Sequence, residues 1–147
     1  KADGLAHHPY AFNVAPTSRK GGKNDVTMGT LGRLTKLLHQ LAHERKLRTP
    51  KGGSLPIYLT EFGYFARGPR ALRTKRRAAY LRKGFQIALH TPSVREMTQY
   101  TLVAPPGRND WDTSLVSRGG TPSTVFNTLS SWALGALRVG GIAKRPI

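Results

Sequence analysis

The sequence contains no cysteine and very few acidic residues. Its 147 residues include 7 Asp and Glu against 24 Lys and Arg, which gives a formal net charge of +17 at pH 7. The absence of cysteine excludes disulfides, cysteine-ligated zinc, iron–sulfur clusters and a thiol nucleophile. No apolar run reaches the ~18 residues that a transmembrane helix needs, so no membrane partner is expected. These limits predict a soluble chain of about one domain.

The sequence also lacks the usual fingerprints of cofactor and metal sites. Neither a Gly-x-x-x-x-Gly-Lys nor a Gly-x-Gly-x-x-Gly string occurs, and we expect no cofactor. His39 and His43 have the spacing of a helical zinc motif, but Gln40 stands where a metalloprotease has its glutamate. Both histidines fall outside a leucine stripe on the same helix, so we interpret them as solvent-facing and predict no metal site. The stripe consists of Leu31, Leu34, Leu37, Leu38 and Leu41.

Hydrophobic patterning predicts three strands and three helices in strict alternation. This order is typical of an α/β fold with parallel strands and right-handed crossover helices. Because the strands are nearly continuously apolar, they need cover on both faces, and we expect the chain to be part of a larger α/β fold. The strands are predicted over residues 5–12, 55–65 and 94–103. The helices are predicted over 28–47, from Pro69 to about residue 91, and from an N-cap at Thr121.

The ends of the chain differ in character from this unit. Residues 1–135 are assigned to the α/β unit, and residues 136–147 lack a clear period and are predicted to form a basic, flexible tail. The first residue is Lys1 with no apolar signal-peptide core, so we expect the chain to begin inside a longer or processed product.

Glu61 is the acidic residue most suited to chemistry. It lies toward the carboxyl end of the apolar second strand, where parallel α/β folds build their active sites. An unpaired carboxylate in such a place is costly, so it is either paired with an arginine or used. On the residues alone, a structural ion pair and a catalytic role have equal weight.

Polar and aromatic residues are also expected where the other two strands end. The first strand ends in His8 and Tyr10, and the third ends in Gln99 and Tyr100, with Trp111 in the following loop. Since the carboxyl ends of parallel strands meet at one edge of a sheet, these side chains are expected to lie near Glu61.

These strings resemble a known family of enzymes. Residues 55–64, Leu-Pro-Ile-Tyr-Leu-Thr-Glu-Phe-Gly-Tyr, are similar to strand seven of the retaining (β/α)8-barrel glycoside hydrolases, the cellulase-like group that includes families 5 and 39. His8-Pro9-Tyr10 is similar to the His-x-Tyr of strand six. Gln99-Tyr100, followed by Trp-Asp-Thr-Ser-Leu at residues 111–115, resembles strand eight and its loop.

The resemblance implies that the chain is the carboxyl-terminal three βα units, strands six to eight, of a TIM (β/α)8 barrel. It implies retaining hydrolysis of β-linked poly- or oligosaccharides with Glu61 as nucleophile, oriented by Tyr10 or another nearby donor. His8, Tyr100 and Trp111 are then expected to contact the carbohydrate substrate. An extracellular location is also implied. Many relatives have a tryptophan where Tyr100 stands, which leaves the substrate open.

The resemblance also implies a missing partner. A complete barrel needs ~250 residues. Strand four of these enzymes carries an Asn-Glu pair whose glutamate is the general acid/base, and no counterpart occurs in this sequence. The chain is therefore expected to need the missing amino-terminal part of the barrel for turnover.

Two noncatalytic interpretations remain open. The net charge favours binding of nucleic acid or another polyanion, and the densest basic stretch covers residues 67–83. No RNA-recognition aromatic signature accompanies it, so it is the second choice. A half-barrel that binds carbohydrate without cleaving it, or that assembles with a complementary chain, is the third.

Overall fold

Three parallel strands alternate with three helices along the chain. The structure is a computed structural model that describes residues 1–107 and 111–138. The strands form one parallel sheet in the order β1, β2, β3, which confirms the predicted α/β fold. The elements are β1 (Leu5–Ala6), α1 (Leu31–His43), β2 (Ile57–Phe62), α2 (Thr74–Leu89), β3 (Val94–Gln99) and α3 (Thr124–Arg138), with a 3-10 turn over Met28–Thr30 before α1.

The central strand β2 is the core of the molecule. Ile57, Leu59 and Phe62 are fully buried between the helices and the neighbouring strands. The predicted leucine stripe supplies one wall of this core through Leu31, Leu34 and Leu38, whereas Leu37 is 49% exposed and does not belong to it. A helix face narrower than predicted is therefore enough to cover the sheet. The other wall includes Ala78, Leu81, Ala88 and Val125.

All three strands are shorter than predicted. β1 ends at Ala6 rather than at residue 12, because Pro9 has no N–H for the ladder and its carbonyl accepts from the Met28 N–H instead. β2 ends at Phe62 rather than at residue 65, since the next backbone groups bond to α2 and to the β3–α3 loop. β3 ends at Gln99 rather than at residue 103.

The helix boundaries also differ from the prediction. α1 ends at His43, shortly before Arg45 adopts a positive φ of 57°. α2 begins at Thr74 rather than near Pro69, because the Leu72 N–H is bonded to the Phe65 carbonyl and holds the preceding segment in a turn. Thr121 is not the N-cap of α3.

The start of α3 is displaced by pairing in the preceding loop. Pro122 forms an antiparallel bridge with Val116, so this segment is extended rather than helical. The helix begins at Thr124, and the Ser123 hydroxyl accepts a hydrogen bond from the Phe126 N–H at 3.2 Å. Ser123 therefore performs the capping role that was predicted for Thr121.

The described helices concern two of the predictions, the absence of a membrane span and the position of the tail. Within the part of the chain that the structure describes, none of the helices is both long and apolar enough to cross a membrane. Helix α3 continues through Arg138, so the first residues of the predicted tail at 136–147 are helical. Residues 139–147 lie outside the described part.

Arg77 ties α2 to both of the neighbouring loops. It is 4% exposed, and its Nε–H donates to the Tyr64 carbonyl at 2.8 Å. Its Nη2 donates to the carbonyls of Thr113 and Ser114 at 2.6 and 2.5 Å. Burial lowers the pKa of Arg77 to about 10, partly offset by the nearby charge of Asp112, so the side chain stays protonated at neutral pH. One buried cation therefore satisfies three backbone carbonyls.

Replacing Arg77 is expected to destabilise the protein strongly. In Arg77→Met the buried carbonyls of Tyr64 and Ser114 lose the Arg77 donor, and the Thr113 carbonyl keeps its bond from Gln99 Nε2 alone. We therefore expect the free energy of unfolding to fall by about 3 kcal/mol or more in urea titrations followed by circular dichroism. Arg76→Met is the matched control, because Arg76 is exposed and its loss should change stability by less than about 0.5 kcal/mol. Equal effects of the two substitutions would contradict the role given to Arg77.

Gly84 allows α2 to lie close against β2. A Cβ at Gly84 would lie 2.5 and 2.6 Å from two ring carbons of Phe62, so Gly84→Ala should cost about 1 kcal/mol or more despite the higher helix propensity of alanine. Gly135→Ala in α3 is the control, because its Cβ meets no atom within 4 Å and it should stabilise the protein by up to about 1 kcal/mol. Urea midpoints that shift in the same direction for both variants would contradict this packing.

Candidate active site

Three loops meet at the carboxyl edge of the sheet. They connect β1 to α1, β2 to α2 and β3 to α3, and they carry every residue that the sequence predicted for the site apart from Glu61, which lies in β2. Because the strands are parallel, all three loops leave from the same edge. The structure therefore places the predicted residues on one face of the molecule.

A bulge near the end of β2 brings Glu61 out of the core. Leu59 pairs with Met97 and Phe62 pairs with Gln99, so three residue steps on β2 span two on β3. The extra residue lets Phe62 stay buried against α2, where its ring contacts Phe85. Thr60 and Glu61, in contrast, are both partly exposed, and the Glu61 side chain is 32% accessible. The carboxylate is therefore reachable from solvent.

Two residues from the β1–α1 loop contact the Glu61 carboxylate. The Tyr10 hydroxyl donates a hydrogen bond to Glu61 Oε2 at 3.1 Å. His8 Nδ1 lies 3.5 Å from the same oxygen, while its Nε2 is 3.0 Å from the Thr60 hydroxyl. Neither partner is an arginine, so the structure does not support the alternative that Glu61 forms a structural ion pair with one.

Tyr10 is held as a neutral hydrogen-bond donor. Burial raises the pKa of its phenol well above the ordinary value, and the hydrogen bond to Glu61 and the negative charge of Glu61 raise it further. A hydrogen bond from the Trp111 side chain acts in the opposite direction but does not outweigh these effects. Trp111, Tyr10 and Glu61 thus form a hydrogen-bonded series that ends on the carboxylate.

Trp111 belongs to an aromatic cluster beside Glu61, defined by Tyr10, Phe12, Phe65 and Trp111. The ring of Trp111 stands edge-on to the other three, with centroid distances of 5.5 Å to Tyr10, 5.8 Å to Phe12 and 5.1 Å to Phe65. It is 36% exposed. Phe65 is buried and Tyr10 and Phe12 are partly buried, so Trp111 provides the accessible ring beside the carboxylate. Such a ring is suited to bind a ligand with both apolar and polar faces.

Phe12 and Phe65 also belong to the site, although the sequence did not predict them there. Phe12 stacks on Tyr10 at 5.6 Å and on Phe65 at 6.0 Å, so the three rings form a row. Both residues occur at the ends of predicted aromatic strand runs, and that position was the signal that could have indicated them. Arg70, which contacts this row, was considered only as part of the basic stretch.

Tyr100 lies at the same edge and is held there by hydrogen bonds of its backbone. Its backbone N–H donates to the Phe62 carbonyl at 2.9 Å, and its side chain is 37% exposed. Several groups shift the pKa of Tyr10, and Tyr100 has the smallest effect among them. Gly63 allows this approach, because a Cβ there would fall on the Tyr100 carbonyl oxygen and 2.9 Å from Thr113 Cβ.

The β3–α3 loop is held against the end of β2 by polar contacts. The Ala66 N–H donates to the Asp112 carbonyl at 2.7 Å, and Arg67 Nε lies 3.4 Å from Asp112 Oδ2. The other carboxylate oxygen of Asp112 accepts from the Ser114 N–H. Together with Arg77, these contacts fix the position of the neighbouring Trp111.

Glu61 is the one accessible carboxylate among the described residues that the site's contacts hold in place. Among the described residues, Asp112 is buried and paired with Arg67, and Asp25 accepts from the Gly22 N–H, so neither supplies a second carboxylate beside Glu61. No group of three or more potential metal ligands occurs within residues 1–107 and 111–138. The arrangement presents one oriented nucleophile or base beside an aromatic surface.

No family model and no curated protein matches the sequence. Solved structures match it through their fold. A family 39 glycoside hydrolase from the gut symbiont Bacteroides cellulosilyticus WH2 matches over 88% of this chain and 26% of its own, with 18% identity and a TM-score of 0.68. A glycoside hydrolase family 2 β-galacturonidase from Eisenbergiella tayi matches over 88% and 23%, with 12% identity and a TM-score of 0.60.

A β-glucuronidase from Lactobacillus rhamnosus shows the same partial coverage. The match extends over 89% of this chain and 22% of that enzyme, with 15% identity and a TM-score of 0.51. The chain spans about a quarter of the length of these solved relatives. At these identities the comparison establishes the fold alone, and the chain folds as an α/β unit that matches part of a TIM barrel.

Proposed function

We propose that the chain is the carboxyl-terminal portion, strands six to eight, of a retaining glycoside hydrolase barrel, with Glu61 as the nucleophile. The convergence of Tyr10 and His8 on Glu61 Oε2, at the carboxyl end of a parallel strand, carries this proposal. A carboxylate oriented by a neutral donor and open to solvent on one side is suited to attack an anomeric carbon.

The reaction follows the double displacement of retaining glycosidases. Glu61 attacks the anomeric carbon and forms a glycosyl-enzyme ester, while a second carboxyl group protonates the departing glycosidic oxygen. The second group then removes a proton from water, which attacks the same carbon and releases Glu61. That partner must lie ~5–5.5 Å from Glu61. Under this proposal it comes from the remainder of the barrel, which the full-length protein supplies.

The predicted binding residues have distinct places in this proposal. Trp111 offers an apolar ring to a sugar face, and His8 and Tyr100 border the position of the glycosidic bond from opposite loops. Export of the protein, consistent with a polysaccharide substrate, is part of the same proposal.

A polyanion-binding role is the second candidate. Helix α2 contains no acidic residue and exposes Lys75, Arg76, Arg82 and Lys83. Such a face attracts phosphate or other anions in a strongly salt-dependent way. A protein with this role alone would bind polyanions with no dependence on Glu61 and would cleave no glycoside.

Glu61→Gln should abolish hydrolysis by the full-length protein. The amide keeps the shape of the side chain but is a poor nucleophile, so we expect kcat/KM on a panel of aryl β-glycosides to fall at least about 10³-fold. Glu44→Gln is the control with the same change of charge at an exposed position, and its activity should be unchanged. With Glu61→Gly, added azide should restore turnover and yield a glycosyl azide of inverted anomeric configuration. Retained activity in Glu61→Gln would eliminate the nucleophile assignment.

Tyr10→Phe should reduce activity without unfolding the protein. The phenylalanine keeps the ring contacts with Phe12 and Trp111 but loses the hydrogen bond to Glu61, and a hydrogen bond to a charged group of this kind accounts for a roughly 10- to 100-fold fall in kcat/KM. Tyr80→Phe removes a hydroxyl from a ring that packs on Tyr64, away from the site, and serves as control. If Tyr10→Phe and Tyr80→Phe have the same kcat/KM, Tyr10 does not orient the carboxylate.

A further inference from the structure

Arg70 holds its guanidinium against the aromatic cluster. It lies in the β2–α2 loop, and its Cζ is 5.6 Å from the ring centroid of Phe12 and 5.7 Å from that of Phe65. The residue is exposed, and no hydrogen bond or ion pair joins its guanidinium to any residue within 1–107 or 111–138. The aromatic contacts therefore position the guanidinium while its N–H groups face solvent.

The cluster connects Arg70 to Glu61 through ring contacts. Arg70 lies over Phe12, Phe12 stacks on Tyr10 with an interplanar angle of 7°, and Tyr10 bonds to Glu61. Trp111 lines the side of this row. Two aromatic rings therefore separate the guanidinium from the carboxylate, and Trp111 is the ring of the cluster that is accessible for a sugar between them.

Charge around the site favours an anionic ligand. The β2–α2 loop, which carries Arg70 and Phe65, also contributes Arg67 and Arg73 and contains no acidic residue. Asp112 neutralises Arg67, whereas Arg70 has no acidic partner among the described residues. A site lined by one sign of charge concentrates ligands of the opposite sign.

We propose that Arg70 selects glycans that carry a carboxylate or a sulfate on a sugar unit bound against Trp111, the exposed ring of the aromatic cluster. This inference rests on the proposed glycosidase function. The planar guanidinium can donate two parallel hydrogen bonds to either anionic group. Because Phe12 and Phe65 already hold the side chain, little rotamer freedom is lost on binding.

The test compares three oligosaccharides of the same length and linkage: one neutral, one with hexuronate units and one sulfated. Their affinities for the full-length protein are measured by titration calorimetry. We expect at least one anionic oligosaccharide to bind about tenfold more tightly than the neutral one, with the preference declining as salt increases. The tighter of the two shows whether carboxylate or sulfate is the ligand group.

Two variants of Arg70 separate the effect of its two parallel hydrogen bonds from the effect of its charge. Arg70→Gln should remove the tenfold preference and leave the affinity for the neutral oligosaccharide unchanged. Arg70→Lys keeps the charge but loses the two-point donor, and an intermediate preference is expected. Arg82→Gln is the matched control, since Arg82 is an exposed arginine on α2 and its loss should leave the preference intact.

The outcomes distinguish this inference from the proposed function. Equal affinity for neutral and anionic oligosaccharides, together with Glu61-dependent hydrolysis, would overturn the role of Arg70 and leave the glycosidase proposal standing. If Arg70→Gln and Arg82→Gln reduce the preference for anionic oligosaccharides equally, the preference comes from net charge. That result would also overturn the role of Arg70. A single-stranded oligonucleotide of equal charge that binds as tightly, with the same dependence on Arg70, would show that the site does not select glycans.

Discussion

The buried side chain of Arg77 is the contact on which the arrangement of the site depends. Its donors reach the end of β2 through Tyr64 and the β3–α3 loop through Thr113 and Ser114. A buried cation without such partners would be very unfavourable, so the carbonyls and the guanidinium require each other. Because Trp111 directly precedes the loop segment that Arg77 holds, an interaction inside the molecule determines where the exposed aromatic surface lies. The side chain acts on the site without touching any ligand.

Close packing around β2 places the catalytic candidate. The absence of a side chain at Gly63 lets the Tyr100 carbonyl approach, and the absence of one at Gly84 lets α2 lie against Phe62. With Phe62 fixed on the core side, the bulge leaves Glu61 on the accessible side next to His8 and Tyr10. The string Thr-Glu-Phe-Gly therefore has a physical meaning at each of its last three positions: the carboxylate, its anchor in the core and the gap that admits the neighbouring strand.

The sequence was sufficient to predict the order of the elements, the parallel α/β class and the meeting of Glu61 with His8, Tyr10 and Trp111. Periodicity and position at strand ends carry that information. The sequence was insufficient to predict where the strands end, because a strand ends where its backbone groups bond to something other than the neighbouring strand. The Pro9 carbonyl bonds to the Met28 N–H and the Tyr64 carbonyl bonds to Arg77. The contact of Arg70 with Phe12 and Phe65 was also not predicted, since it joins two loops that are far apart in sequence. The predicted roles of the site residues stay predictions.

Under the proposed function, the described residues supply one of the two carboxyl groups that the reaction needs. Glu61, its donor and the aromatic surface come from three consecutive βα units, so local connections are enough to assemble them. No contact among the described residues places a second carboxylate beside Glu61: Asp112 is paired with Arg67, Glu44 is paired with Lys46, and Glu96 accepts from the Thr98 hydroxyl. At the carboxyl end of β3, Gln99 Oε1 and Thr101 Oγ1 are buried without a partner among the described residues, although Gln99 Nε2 is bonded. β3 is also an edge strand of the described sheet, where β2 is its one neighbour, and a further strand could pair with its open side. Under the proposed function, the remainder of the barrel supplies both the facing carboxylate and that neighbouring strand.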